Sequence, residues 1–368
     1  MLELRKTGYA ADRDAPVCLV SCVKDEAHLI GPFFDHYRRA GIRDFVVVDN
    51  GSSDGTREWL AAQDDCTLYS CVDDFAAARG GMDWVETLLH RYATGRWGLY
   101  ADCDEHLVFP HMDRLDIGSF VLGLSRKGFD SCRAVMVDMY SGEELGAGEA
   151  RDLRLQDRYD RFDADYVVRR VPPRPWARDR QTPLQVFGGP RLRLLSSLVR
   201  ETRGGWVRPM LLGQVDRVLR WAPEASLPLL FRLWPPCLPA LHKQPLNRIT
   251  EGFSYPTAHD ASNERVAPTL MALLHYKFVA EAERCLRADG PLQTQYHRRG
   301  MEREQLRLAV QRHRDRPLTY MGTRRFHSWY DLAAEGLVGE RWAEAVQGGK
   351  VRPAPRPRVD RLTARGTA

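Results

Sequence analysis

The first hundred residues of this 368-residue sequence predict an α/β fold, a mostly parallel sheet flanked by helices. Apolar runs of strand length alternate there with segments whose apolar residues recur at three- and four-residue spacing. Polar residues cluster directly after each apolar run, where sheets of this kind bind ligands beyond the carboxyl ends of their strands. The composition, 43% hydrophobic and 28% charged, excludes a largely disordered chain, a collagen-like repeat and a multi-span membrane protein.

Pro16 to Val23 is apolar and bounded by polar residues, a first strand. Leu29, Ile30, Phe33, Phe34 and Tyr37 then mark one face of a helix that Gly41 ends. Pro32 is tolerated only in a first turn, so the start is expected there rather than at Glu26. Phe45 to Val48 is a second strand and Asn50 to Gly55 a turn. A short helix over Thr56 to Ala62 follows, capped by Ser53 or Asp54. Cys66 to Cys71 and Trp97 to Ala101 are the third and fourth strands, with a helix over Met82 to Tyr92 between them. The connections to watch are therefore Lys24 to Glu26, Asp49 to Asp54, Asp73 to Arg79 and Asp102 to His106.

Beyond residue 145 the alternation fades. Leu192 to Val199, Met210 to Trp221 and Arg299 to Arg312 carry helical patterns. The most apolar stretch, Ala225 to Leu241, is broken by four prolines and Arg232, so no spanning helix is expected. It reads either as a surface loop or as a patch that dips into a membrane interface. Gly349 to Ala368 holds six basic side chains against Asp360 alone, which equals the formal charge of +5 of the whole chain. The remainder sums to zero, and a nucleic-acid-binding body is not indicated. Eight cysteines without a Cys-x-x-Cys pair, and an N-terminus without a secretory pattern, suggest packed thiols in a cytoplasmic protein.

The sharpest chemical feature is Asp102-Cys103-Asp104, at the end of the fourth strand. Alternate strand residues share a face, so two carboxylates are expected together, repelling unless a cation joins them. Mg²⁺ or Mn²⁺ suits such oxygens and neutralises a diphosphate leaving group. A solvated pair of loop aspartates is the other reading. Asp49 ends the second strand, placed to accept hydrogen bonds from a base or ribose, although a plain turn plus a helix cap explains most of the motif around it. Ser21 to Glu26 contains no glycine, so neither a dinucleotide fingerprint nor a P-loop is present. Phosphates would then be handled by metal and side chains.

As an ordered set, Val23-Lys24-Asp25-Glu26, Val48-Asp49-Asn50-Gly51-Ser52-Ser53-Asp54-Gly55-Thr56 and Asp102-Cys103-Asp104-Glu105 resemble the family 2 nucleotide-sugar glycosyltransferases. Leu273-Leu274-His275-Tyr276-Lys277 is similar to the late LLHxK motif of a bacterial branch. The resemblance implies a GT-A type of fold, a Rossmann-like sheet with a more helical C-terminal extension. It implies a catalytic core over residues 1–200, an acceptor-side part over 201–345 and a disordered basic tail over 346–368. By it, Glu26 and Asp49 contact the nucleoside, Arg79 suits the diphosphate, and Asp102 and Lys277 belong to the donor-binding set. Asp102 and Asp104 carry Mn²⁺ or Mg²⁺ on the sugar diphosphate, and His275 completes the shell or touches phosphate. Taken alone, His275 also reads as a core histidine and Arg79 as a surface arginine.

An inverting sugar transfer needs a base to take the acceptor's proton. The Glu-Asp pair that many relatives carry for this is absent, which leaves Asp138 and Asp260 as candidates. Gly188-Gly189-Pro190-Arg191 resembles a loop that relatives use beside the acceptor. Trp206, Trp221 and Trp234 read as groove-lining or as core residues. The expected activity moves a sugar from a UDP-, GDP- or dTDP-linked donor to a hydroxyl of a glycan or related acceptor. No nucleic-acid partner is expected, and membrane contact, if any, is peripheral. Alternatives are a phosphatase or nucleotidyltransferase using the Asp-x-Asp pair, or a non-catalytic nucleotide- or glycan-binding relative. In the phosphatase reading His106 stands where a Thr or Val is usual.

Overall fold

The computed structural model describes residues 2–6, 8, 14–143, 155–164, 166–170, 184–190, 241–276 and 317–340. Lys277, Arg191, the three tryptophans 206, 221 and 234, the expected helices beyond residue 190, the 225–240 stretch and the basic tail lie outside these residues.

In chain order the elements are β1 (Glu3–Lys6), β2 (Val17–Val23), α1 (Ile30–Arg39), β3 (Phe45–Asp49), α2 (Thr56–Ala61), β4 (Cys66–Ser70) and α3 (Met82–Ala93). Then come β5 (Trp97–Tyr100), β6 (Glu105–Val108), α4 (Ile117–Arg126), β7 (Ser131–Asp138), α5 (Leu155–Arg158), β8 (Arg161–Asp163), β9 (Tyr166–Arg170) and β10 (Leu184–Gly188). The described part closes with β11 (His242–Arg248), β12 (Val266–His275), β13 (Thr323–Arg325) and α6 (Trp329–Ala334).

Nine of the described strands form one sheet in the order β1-β4-β3-β2-β5-β11-β7-β12-β6. The strands β4, β3, β2 and β5 are mutually parallel, in the 3-2-1-4 spatial order of a doubly wound sheet. β11 is antiparallel to both β5 and β7, and β12 runs parallel to β7. Six strands thus point one way, while β1, β11 and β6 oppose them. The expected sheet flanked by helices is present, as a mixed sheet dominated by one direction.

Helices on both faces explain why the early strands read as unbroken apolar runs. Val17, Leu19 and Val23 of β2 face the core shared with α1 and α4, while Cys18 and Val20 face α3. In α1, Ile30, Phe33, Phe34 and Tyr37 are buried, and Phe34 stacks on Phe45 at 4.3 Å. The helix starts at Ile30, two residues before the expected Pro32, because a proline in the first turn gives up only an N–H with no partner inside the helix. α2 is not capped by a side chain: Gly55 takes the N-cap position at φ 97°. Pro245 and Pro268 fall where β11 and β12 shift register, the place where a ladder tolerates a residue without an N–H. Among the described residues no helix is long and apolar enough to cross a membrane.

Candidate functional site

The six co-directional strands bring Ser70, Asp49, Val23, Tyr100, Asp138 and His275 to one edge of the sheet, where the opposing strands β11 and β6 begin with His242-Lys243 and Glu105. The spatial order reverses between β2 and β5, so a crevice is expected outside their carboxyl ends. His275 pairs with Asp138 on one side and with Glu105 on the other, and directly paired residues share a face. Register alone therefore aligns three ionisable side chains that are far apart in sequence.

On the β2–β3 side two loops lock together. The N–H groups of Asp25, Glu26 and Ala27 donate to Ser52 Oγ, Thr56 Oγ1 and Asp54 Oδ2 at 3.0, 2.9 and 2.9 Å, and Asp25 Oδ1 accepts the Ser53 N–H at 2.8 Å. The amides that a phosphate-binding loop would offer are spent inside the protein. Asp49 is buried, its Oδ1 accepting from the Ser52 N–H at 3.1 Å and its Oδ2 from Arg57 at 2.7 Å. Asp49 thus shapes the turn, and Glu26 stands half-buried beside it. Burial first, then Asp102 and, further down, Asp49 keep the Cys22 thiol protonated, which sets both aspartates near the end of β2.

Asp102-Cys103-Asp104 lies in the turn between β5 and β6, not in the strand, so strand alternation does not govern it. The two carboxylates accordingly meet different partners. Asp102 accepts from Tyr100 Oη at 2.7 Å through Oδ1 and from Lys243 Nζ at 3.3 Å through Oδ2. Lys243 also donates to Glu105 Oε2 at 2.6 Å and lies 4.0 Å from the centroid of the Tyr100 ring. Burial works against the Lys243 ammonium, but Asp102 and then Glu105 raise its pKa and hold it charged. Burial raises the Glu105 carboxyl by more than Lys243 lowers it. One positive charge is thus shared by two carboxyls, and burial makes that of Glu105 a weaker acid than an ordinary carboxyl.

Asp104 faces an imidazole instead. Its Oδ2 lies 3.3 Å from His275 Nε2, and His275 Nδ1 lies 2.7 Å from the fully buried Asp138 Oδ1. A histidine whose second nitrogen is fixed by a carboxylate is the usual arrangement behind a metal ligand. The hydroxyl of Tyr166 accepts the Asp138 N–H at 3.3 Å, and a Cβ on Gly189 (φ +68°) would come within 2.9 Å of that hydroxyl. The glycine loop is thereby tied to the same cluster.

The other candidates have partners of their own. Asp260 accepts from Thr257 Oγ1 at 3.1 Å and lies 3.6 Å from His242 Nε2. Arg79 bonds Asp83, Glu86 and the Tyr255 carbonyl at 2.6, 2.8 and 2.9 Å, fastening α3 to the 253–255 loop. Lys243 and Tyr100 were missed by sequence reasoning. Lys243 sits in a strand too polar to be recognised, and Tyr100 was read only as part of a strand.

A divalent ion can be tested against these groups. Among the described residues, Asp102, Asp104 and Asp138 join Glu105 around the Lys243 ammonium and the His275 imidazole, a concentration of carboxyl groups that a cation relieves. Among the described residues no three His, Cys, Asp or Glu side chains converge as a ready-made cage. Mg²⁺-type ions need none, since one or two protein ligands with substrate phosphates and water suffice. The 3.3 Å between Asp104 Oδ2 and His275 Nε2 is close to the roughly 3 Å between neighbouring ligands of an octahedral ion with bonds of about 2.1 Å. The residues fit such an ion. A scan against protein-family models and a search of curated proteins match nothing to this chain.

Proposed function

We propose that the chain is a metal-dependent glycosyltransferase of GT-A type, moving a sugar from a UDP-, GDP- or dTDP-linked donor to a hydroxyl of a glycan or related acceptor. The observation that carries this reading is the Asp104–His275 pair, backed by Asp138, at a carboxylate-rich sheet edge beside the strand-order reversal. Asp104 and His275 would hold the ion, and Asp138, by taking the Nδ1 proton's hydrogen bond, would keep the His275 Nε2 lone pair available to it. When bound, Mn²⁺ or Mg²⁺ supplies the positive charge that a departing nucleoside diphosphate requires. Asp49 and the interlocked loops at Asp25 and Ser52 wall the nucleoside side, with Glu26 beside them.

Of the two candidate bases, Asp138 is buried and serves His275. That leaves Asp260, whose Oδ2 accepts from Thr257 and whose Oδ1 lies 3.6 Å from His242 Nε2, as the remaining candidate for the proton acceptor. Inversion is what the resemblance to family 2 implies, with a base that takes the acceptor's proton as the hydroxyl displaces the diphosphate in one step.

The test is release of nucleoside diphosphate from a panel of UDP-, GDP- and dTDP-sugars, with Mn²⁺ or with EDTA. Release from one donor, lost with EDTA and in Asp104→Ala, is the expected result. Release that EDTA leaves untouched would overturn the metal reading, and silence across the panel together with no donor binding would favour a partner-binding protein.

A further inference from the structure

We infer that Lys243 is a positioning residue that divides the work of the two aspartates, keeping Asp102 out of the ion's shell and reserving it for hydroxyl groups of the donor. The inference rests on the metal-dependent reading above.

Lys243 is 2% exposed, whereas the Asp102 side chain it touches is 47% exposed and the Asp104 side chain 23%. The ammonium stands behind Asp102, held by Glu105 and by the face of Tyr100. Both Asp102 oxygens already accept a hydrogen bond from the protein, Oδ1 from the Tyr100 hydroxyl and Oδ2 from Lys243. The Asp102 N–H in turn donates to Glu105 Oε2 at 3.0 Å, so backbone and side chain are clamped by one ring of contacts. A carboxylate in this state still accepts hydrogen bonds from hydroxyls on its open side. A divalent ion on it would stand within a few ångströms of a fixed ammonium, and like charges repel strongly where water is scarce.

Asp104 is placed in the opposite situation. Its near neighbour is an imidazole nitrogen, which carries a lone pair and can share an ion, while an ammonium has none. The two aspartates are therefore separated by a single residue in sequence and different in chemistry. Lys243, far away in the chain, makes the difference.

Mn²⁺ affinity, measured without donor by calorimetry and by the electron spin resonance of free Mn²⁺, tests this on the full chain. Asp104→Asn is expected to lose about tenfold or more in affinity, as loss of a ligand or its support does. Asp102→Asn is expected to change Mn²⁺ affinity by less than about threefold while weakening donor binding, since an amide accepts through one oxygen only. Lys243→Met is expected to tighten Mn²⁺ binding, because the opposing charge is gone and Asp102 is released. Leaving Glu105 alone in the interior endangers folding. The double variant Lys243→Met with Glu105→Gln therefore removes the ion pair as a unit, and the same tightening is expected.

Equal losses in Asp102→Asn and Asp104→Asn, or Mn²⁺ binding that weakens or stays constant in the folded double variant, would overturn the division of labour alone. No Mn²⁺ binding by the unmodified chain, with or without donor, would overturn the metal reading and this inference with it.

Discussion

His106 is 1% exposed, neither ring nitrogen has a hydrogen-bond partner among the described residues, and the ring stacks on His36 at 4.5 Å and lies edge-on to Tyr276. Burial, then the neighbouring His36, holds its pKa well below the ordinary histidine value, and burial takes His36 down to about 4. Both rings stay neutral in the fold, while in the unfolded chain they take protons near pH 6.5. Stability from this pair is complete above that value and is lost as pH falls toward 4, because the unfolded state then binds more protons. For His36 the loss amounts to roughly 3 kcal/mol. The urea midpoint should therefore drop between pH 7 and pH 5. In His106→Phe, which removes two unsatisfied nitrogens, it should drop less and should not be lower at pH 7. An unchanged pH slope in the variant would contradict this. At this scale, Asp102, Asp104, Asp138 and His275 were legible because their residue types and neighbours are unusual. Lys243 was not, since its partners Asp102 and Glu105 lie 141 and 138 positions away.

The early elements were legible because helices cover both faces of the strands, leaving few polar positions within them. β11 escaped for the opposite reason. In His242–Arg248, Lys243, Gln244 and Asn247 are buried, so the strand carries no apolar period. Its polar groups are satisfied instead by a network, with Gln244 and Asn247 bonding Ser131 on β7 and Asn247 bonding Tyr255. Such a strand is specified by hydrogen-bond partners that only the fold supplies. Loops show the same logic. Asp54, expected as a helix cap, instead accepts from the Ala27 and Thr56 N–H groups and joins the first two connections. Asp54→Ala should cost about 1–2 kcal/mol, read from chemical denaturation, as each lost hydrogen bond leaves a donor to be satisfied otherwise. A variant as stable as the parent would show that the two loops are held by other contacts.

Across the whole molecule, direction and register decide which residues meet. The sequence rhythm predicted parallel strands with their carboxyl ends together, and the sheet does so for β2, β3, β4 and β5. It did not announce that β11 would enter antiparallel between β5 and β7, carrying Lys243 to Asp102. Nor did it announce that β12 would lie between β7 and β6, setting His275 beside Asp138 and Glu105. The resulting edge concentrates carboxyl groups around one ammonium and one imidazole, and its central claim is cation-dependent recognition of a nucleoside diphosphate. Calorimetric titration of UDP, GDP and dTDP into the full chain, once with Mn²⁺ and once with EDTA, tests that claim most directly. One nucleotide should bind with Mn²⁺ and at least about tenfold more weakly with EDTA, a difference that Asp104→Asn should abolish. Equal affinity under both conditions, or no binding of any of the three, would contradict it.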